Sequence, residues 1–174
     1  MGQIDVEKCK ITHYPASVLG QPAQPIEEIN DNVRRLVDKM TDIMLRNKGM
    51  GLAGPQAGVG LRIFIVSLDG SREQVRAYIN PTVTPRGGFE ELEEGCLSVP
   101  GIWTKIRRYK QATVTATDLD GNEFTEEADG IYARCLQHEY DHLEGRTIVS
   151  RMGSAAKIAH RRQLKKLAKE QENH

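Results

Sequence analysis

His138-Glu139-Tyr140-Asp141-His142 constrains this chain more than any other segment. On a helix, residues four apart share a face with Cβ atoms about 5–6 Å apart, so both imidazoles can converge on one cation. Glu139 then reaches a water beside that cation as a general base. A catalytic metal normally takes three protein ligands and keeps one position open, so the fold must deliver a further donor. Downstream donors are poor. The His-x-x-Gly-x-x-His continuation of one zinc-peptidase class fits at Gly145 but ends on Ile148, and no Asp or Glu occurs between Gly145 and Lys169. His160 stands in a basic amphipathic stretch that suits a surface. The third ligand is therefore sought upstream, where Cys96 stands in Glu94-Gly95-Cys96-Leu97-Ser98.

Composition narrows the setting. Lys plus Arg is 24 and Asp plus Glu is 24, and this zero balance argues against a chain coated in nucleic acid. No run of eighteen apolar residues would span a membrane, and the N-terminus lacks both the apolar core of a signal peptide and the character of a transit peptide. Three cysteines, Cys9, Cys96 and Cys135, are too few and too odd for a disulfide framework. Together these features predict a cytoplasmic protein with a thiol free for metal or catalysis, folded as one domain over 1–174. Cys9 and Cys135 read as small buried hydrophobes, although Cys135, one turn before Glu139, is placed to line the site.

Periodicity gives the elements. Apolar residues from Ile26 to Met44 recur at helical spacing, predicting an N-terminal amphipathic helix over 25–47. Beta-like runs follow at 61–68, 75–79, 102–106, 112–119 and 124–128, with Val83 between the second and third. Asp69-Gly70, Asn80-Pro81, Gly87-Gly88 and Asp120-Gly121-Asn122 read as the turns between them. A metal-binding helix is predicted over 130–144 and a basic C-terminal helix over 154–169, after an extended arm at 1–24. Without βαβ alternation, the fold class is α+β, with mostly antiparallel sheets packed around a central metal-binding helix. The segment Gly49–Gly60 lacks the Lys-Ser/Thr of a nucleotide loop and precedes a strand, which excludes a phosphate cradle and favours close backbone approach to an extended peptide.

Gly49-Met50-Gly51-Leu52-Ala53-Gly54-Pro55-Gln56, Glu94-Gly95-Cys96-Leu97-Ser98 and Gln137-His138-Glu139-Tyr140-Asp141-His142 stand in that order. Together they resemble the peptide deformylase family, across essentially the whole chain. Gly54 departs from the family, which usually has Ala there, and the lost methyl is expected to loosen the loop. The resemblance implies that Cys96, His138 and His142 bind one divalent metal ion. This is commonly Fe²⁺, with Zn²⁺, Ni²⁺ or Co²⁺ able to occupy the same site. It implies Glu139 as general base and acid, Gln56 and the Leu97 backbone N–H as donors to the formyl oxygen, and the Gly51 carbonyl as guide to the formyl N–H. Gly49, Met50, Glu94, Gly95, Ile131 and Cys135 are expected around the substrate, the formyl-methionine terminus of nascent polypeptides, from which formate is released.

Two other readings stay beside it, a metallopeptidase and a non-catalytic metal- or ribosome-binding module. Arg108 is expected to pair with Asp141 or Glu94, or to be an ordinary surface arginine. From Arg151 onward there are seven Lys or Arg and two acids. This reads as a solubilising face or a ribosome contact, and as dispensable for chemistry because no family motif lies beyond Ser150.

Overall fold

The computed structural model describes residues 4–172, so the first three residues of the predicted arm lie outside the described residues. Among the described residues, β1 (Gly51–Ala53), β2 (Ile63–Val66), β3 (Arg76–Glu94), β4 (Thr104–Thr117) and β5 (Glu123–Asp129) form one sheet. Its strands follow chain order and every pairing is antiparallel. The expected α+β class is present, as a single sheet rather than several. Two helices clamp the sheet. α1 is Asp31–Arg46 and α2 is Gly130–Leu143.

β2, Ile63-Phe64-Ile65-Val66, shows why an unbroken apolar run is needed. Ile63 and Ile65 pack in one cluster with Leu36, Met40 and Met44 of α1, while Phe64 and Val66 pack in another with Ala133, Leu136 and Leu143 of α2. Both faces are covered, so alternation vanishes. Each such buried side chain contributes about 1.5–3 kcal/mol relative to exposure. The predicted central helix is thus α2, seated on the sheet.

α1 starts six residues later than predicted, capped by the Asn30 side chain, which accepts from the Asn32 and Val33 N–H groups. Ile26 is buried but not helical. Its N–H donates to Asn80 Oδ1 at 2.8 Å and its carbonyl accepts from Asn80 Nδ2 at 2.8 Å, so a side-chain amide takes the bonds a helix would use. The arm itself is not extended throughout. It carries 3₁₀ turns at Val6–Lys8 and Ser17–Gly20.

Two predicted turns prove to be irregularities inside β3. Register shifts fall between Ile79 and Thr82 and between Arg86 and Phe89, with Asn80 and Gly87 at positive φ. The runs 102–106 and 112–119 are likewise joined in one strand, β4. Alternation persists through the charged stretch between them because Arg108 occupies an inward position and is buried.

The basic helix predicted over 154–169 is broken at His160 into α4 (Ser154–Ala159) and α5 (Arg161–Glu172), and a short helix, α3 (Ile148–Arg151), precedes it. It is no free appendage. Met152 and Leu167 are buried with Val99, Ile102, Ile106 and Ile148, and Cys96 packs against the same cluster. No helix among the described residues is long and apolar enough to cross a membrane.

Candidate metal centre

α2 carries His138 and His142 one turn apart, facing the loop after β3 that holds Cys96. His142 Nε2 lies 3.3 Å from His138 Nε2 and 3.4 Å from Cys96 Sγ. Ligand atoms at 2.0–2.1 Å (N) and 2.3 Å (S) from a tetrahedral centre stand about 3.3 Å and 3.5 Å apart, so these spacings fit one cation. All three donor atoms lie within 4.8 Å of one another.

Tautomers agree with this fit. His138 Nδ1 is 3.0 Å from Glu94 Oε2, and a carboxylate only accepts, so Nδ1 carries a proton and the neutral ring turns its Nε2 lone pair to the other donors. Burial works against charge on His138, yet its hydrogen bonds to Cys96 and Glu94 outweigh burial and hold its pKa well above the usual value. A cation bound between these donors would displace the Nε2 proton of His138. His142 is pushed the other way, well below the usual imidazole range, by burial and by the neighbouring His138 charge. A neutral imidazole is what a ligand requires.

Glu139 is 4% exposed and its Oε2 has no hydrogen-bond partner. Burial pushes its pKa up to about 7; the Glu94 and Asp141 carboxylates add to this, while the His138 and Arg108 charges oppose it. A carboxyl poised there both takes and returns a proton at neutral pH. Gly51 makes room for it. A methyl on Gly51 would sit 2.5 Å from Glu139 Oε1, so only glycine lets β1 pass this close.

Gln56 is buried, with Oε1 accepting from the Ala53 N–H at 2.8 Å and Nε2 turned to Cys96 Sγ at 3.4 Å. Its N–H₂ group is thereby aimed at the metal donors. At Gly54 neighbouring backbone occupies the space that a methyl would fill. A methyl there would lie 2.6 Å from the Leu61 carbonyl oxygen and 2.9 Å from that of Val59, so glycine is what the tight 3₁₀ turn Gly54–Ala57 accepts.

Other predicted residues fall as follows. Gly95 lies beside Cys96 under the Trp103 ring, and Leu97 packs against the α1 cluster near Gly49. Cys135 is buried on α2 behind Glu139, and its thiol is held protonated by burial. Met50 and Ile131 are exposed apolar side chains, and the Met50 carbonyl accepts from the Ser67 N–H at 2.8 Å. The Glu94 carboxylate is not open to a substrate. Oε1 accepts from Arg108 Nε at 2.6 Å and Arg134 Nη1 at 2.6 Å, and Oε2 accepts from Arg108 Nη2 at 2.9 Å and from His138.

Arg108 is thus no surface arginine. It joins both expected partners, Glu94 and Asp141, the latter at 2.8 Å. Sequence reasoning missed Arg134, whose signal was its place four residues before His138 on the same helix face. It also missed Arg151, hidden in a run of surface charges.

Comparison with known proteins decides the family. The Polypeptide deformylase family model matches residues 8–157. The chain belongs to the peptide deformylase family. It is 38% identical to the peptide deformylase of Neisseria gonorrhoeae over 91% of this chain and 95% of that one. It is 42% identical to that of Chromohalobacter salexigens over 79% and 82%. Among solved structures, the peptide deformylase of Plasmodium falciparum superposes with a TM-score of 0.90 at 33% identity, over 94% of this chain and 98% of that one. That of Legionella pneumophila gives 0.87 at 35% identity, over 95% and 98%. The deformylase fold therefore runs through nearly all of the described residues.

Proposed function

We propose that this chain removes the formyl group from the N-terminal formyl-methionine of nascent polypeptides and releases formate, through one divalent cation held by Cys96, His138 and His142. The observation that carries this is the convergence of the three donors beside a buried carboxyl, Glu139, that has an unpartnered oxygen. A metallopeptidase would draw on the same His-Glu pair, but the cysteine donor and the family membership favour the deformylase. A soft thiolate with two imidazoles suits Fe²⁺, which we take as the resident ion, and equally admits Zn²⁺, Ni²⁺ or Co²⁺. The cation supplies Lewis acidity, the property that makes water ionise near neutral pH.

The chain's own groups do the rest. Glu139 takes a proton from the water as its oxygen bonds to the formyl carbon. The Gln56 N–H₂ and the Leu97 N–H donate to the oxygen on which negative charge grows, and each such donor is worth about 10²–10³ in turnover. Glu139 then returns the proton to the departing amine nitrogen as the C–N bond breaks, leaving formate and a free N-terminus. β1 lies at one end of the strand order and pairs only with β2 among the described strands. Its other edge accepts an extended peptide as an added strand, guided by the Gly51 carbonyl and flanked by Gly49, Met50, Gly95 and Ile131.

The test is formate release from formyl-Met-Ala-Ser by anaerobically purified protein, with metal content measured on the same sample. No formate from a folded, metal-replete chain overturns the reading. Cleavage of the Met–Ala bond instead makes it a peptidase, and binding without turnover makes it a module. We further propose one catalytic domain, a cytoplasmic setting and contact of the exposed basic face of α4 and α5 with ribosomal RNA. Charge reversal at Arg161, Arg162, Lys165 and Lys166 then removes salt-sensitive ribosome binding and leaves hydrolysis of the short peptide unchanged.

A further inference from the structure

Arg151 ends α3, ten residues past Asp141, on a segment outside all three motifs. Its guanidinium grips Asp141 with both arms: Nε to Oδ2 at 3.0 Å and Nη2 to Oδ1 at 2.5 Å. Asp141 Oδ2 also accepts from Arg108 Nη1 at 2.8 Å, and Arg108 holds both oxygens of Glu94. Glu94 accepts from His138 Nδ1. A continuous series of charged hydrogen bonds thus runs from the start of the C-terminal segment to a donor of the metal centre. Arg108, Asp141 and Glu94 are all buried, whereas Arg151 is 39% exposed and closes the series on the solvent side.

We propose that Arg151 is a positioning residue for His138, acting through Asp141, Arg108 and Glu94. The inference rests on reading Cys96, His138 and His142 as the metal ligands. Without Arg151, Asp141 keeps its negative charge in a buried place with Arg108 as its remaining ion-pair partner. Arg108 presents a rigid planar fork that meets Asp141 and both Glu94 oxygens at once, so it cannot follow a displaced Asp141 and still match both Glu94 oxygens. Glu94 keeps Arg134 on Oε1 but its Oε2, the oxygen that meets His138, loses the aligned Arg108 arm, and the bond that sets the His138 tautomer and aim is loosened. A lysine at 151 restores the charge but not the two-armed grip.

The experiment measures Zn²⁺ affinity by competition with a chelator, together with kcat and KM on formyl-Met-Ala-Ser and the visible absorption of the Co²⁺-loaded protein. Arg151→Ala is expected to weaken Zn²⁺ binding about tenfold, the lower end of what partners of metal-bound histidines contribute. It lowers kcat with KM unchanged and shifts the Co²⁺ bands; Arg151→Lys falls between. Combined with Glu94→Gln, the losses in Zn²⁺ affinity are less than additive, since both changes cut one series of bonds. Parental affinity and spectrum in Arg151→Ala, or strictly additive losses, overturn the proposal. If the parent takes up no Zn²⁺, or Cys96→Ser holds it as tightly as the parent, the ligand assignment itself fails. Circular dichroism on every variant separates these results from unfolding.

Discussion

At the scale of single residues, the site is built by what each neighbour leaves open. Glu139 has one oxygen without a partner, and Glu94, at the end of β3, has none to spare. On the proposed reading the first moves protons, while the second is committed to holding groups still. Glu139→Gln is accordingly expected to keep its metal and to lose at least about 10²-fold in kcat, because an amide cannot accept the proton. Metal analysis beside the rate constant checks this, and loss of the metal with the activity would instead make Glu139 a ligand. Gly51→Ala tests the close approach from the opposite side. Its methyl, 2.5 Å from Glu139 Oε1, must displace the carboxyl, so kcat falls while metal content and melting temperature stay near the parent. Unchanged turnover in Gly51→Ala would show that the Glu139 position is not critical. The motif spacing pointed in advance to Cys96, His138 and His142, whose donor atoms lie within 4.8 Å of one another. Arg134 and Arg151 were not legible in this way, since a cation in a sequence reads as solvated until its burial and partners are known.

Elements show where tertiary contacts override local pattern. Ile26 and Ile29 continue the apolar period of α1, yet the helix waits for Asn30 because Asn80, fifty-four residues away from Ile26, claims the Ile26 backbone. Asn80→Ala leaves that N–H and carbonyl unpaired in a partly buried place and puts a Cβ-branching-free but non-glycine residue at φ 47°. It is expected to destabilise the fold by about 1–3 kcal/mol, read as a lower denaturant midpoint at constant slope. A parental midpoint would mean that water satisfies the two groups. β4 carries the same lesson. A buried arginine among alternating apolar residues looks like a break in the strand, although it keeps the inward register. Its burial is tolerable only because two carboxylates meet it. Arg108→Leu is expected to cost about 3–5 kcal/mol, as removing one partner strands the other charges. Thermal unfolding of the metal-free proteins checks the size of that loss.

For the whole molecule, the C-terminal third helix of the prediction turns out to be part of the body. Ending the chain after Ser150 would remove the Arg151 grip on Asp141 and the buried Met152 and Leu167. The expected outcome is a protein that melts at a lower temperature and has weakened short-peptide hydrolysis, rather than one that loses ribosome contact alone. A truncated chain with parental melting and parental formate release would return the segment to the role of a solubilising face. The same contrast orders what was readable and what was not. The chain itself determined the chemistry and the class of fold, because metal donors at helical spacing, a glycine-rich approach and alternating strands are local patterns set by backbone geometry. Only the tertiary structure decided where α1 begins, that two hairpin-like stretches are single long strands, and that arginines from β4, α2 and α3 meet around two carboxylates. Those outcomes depend on partners far apart in the chain, whose bonds outweigh local preference only when packing brings them together away from water.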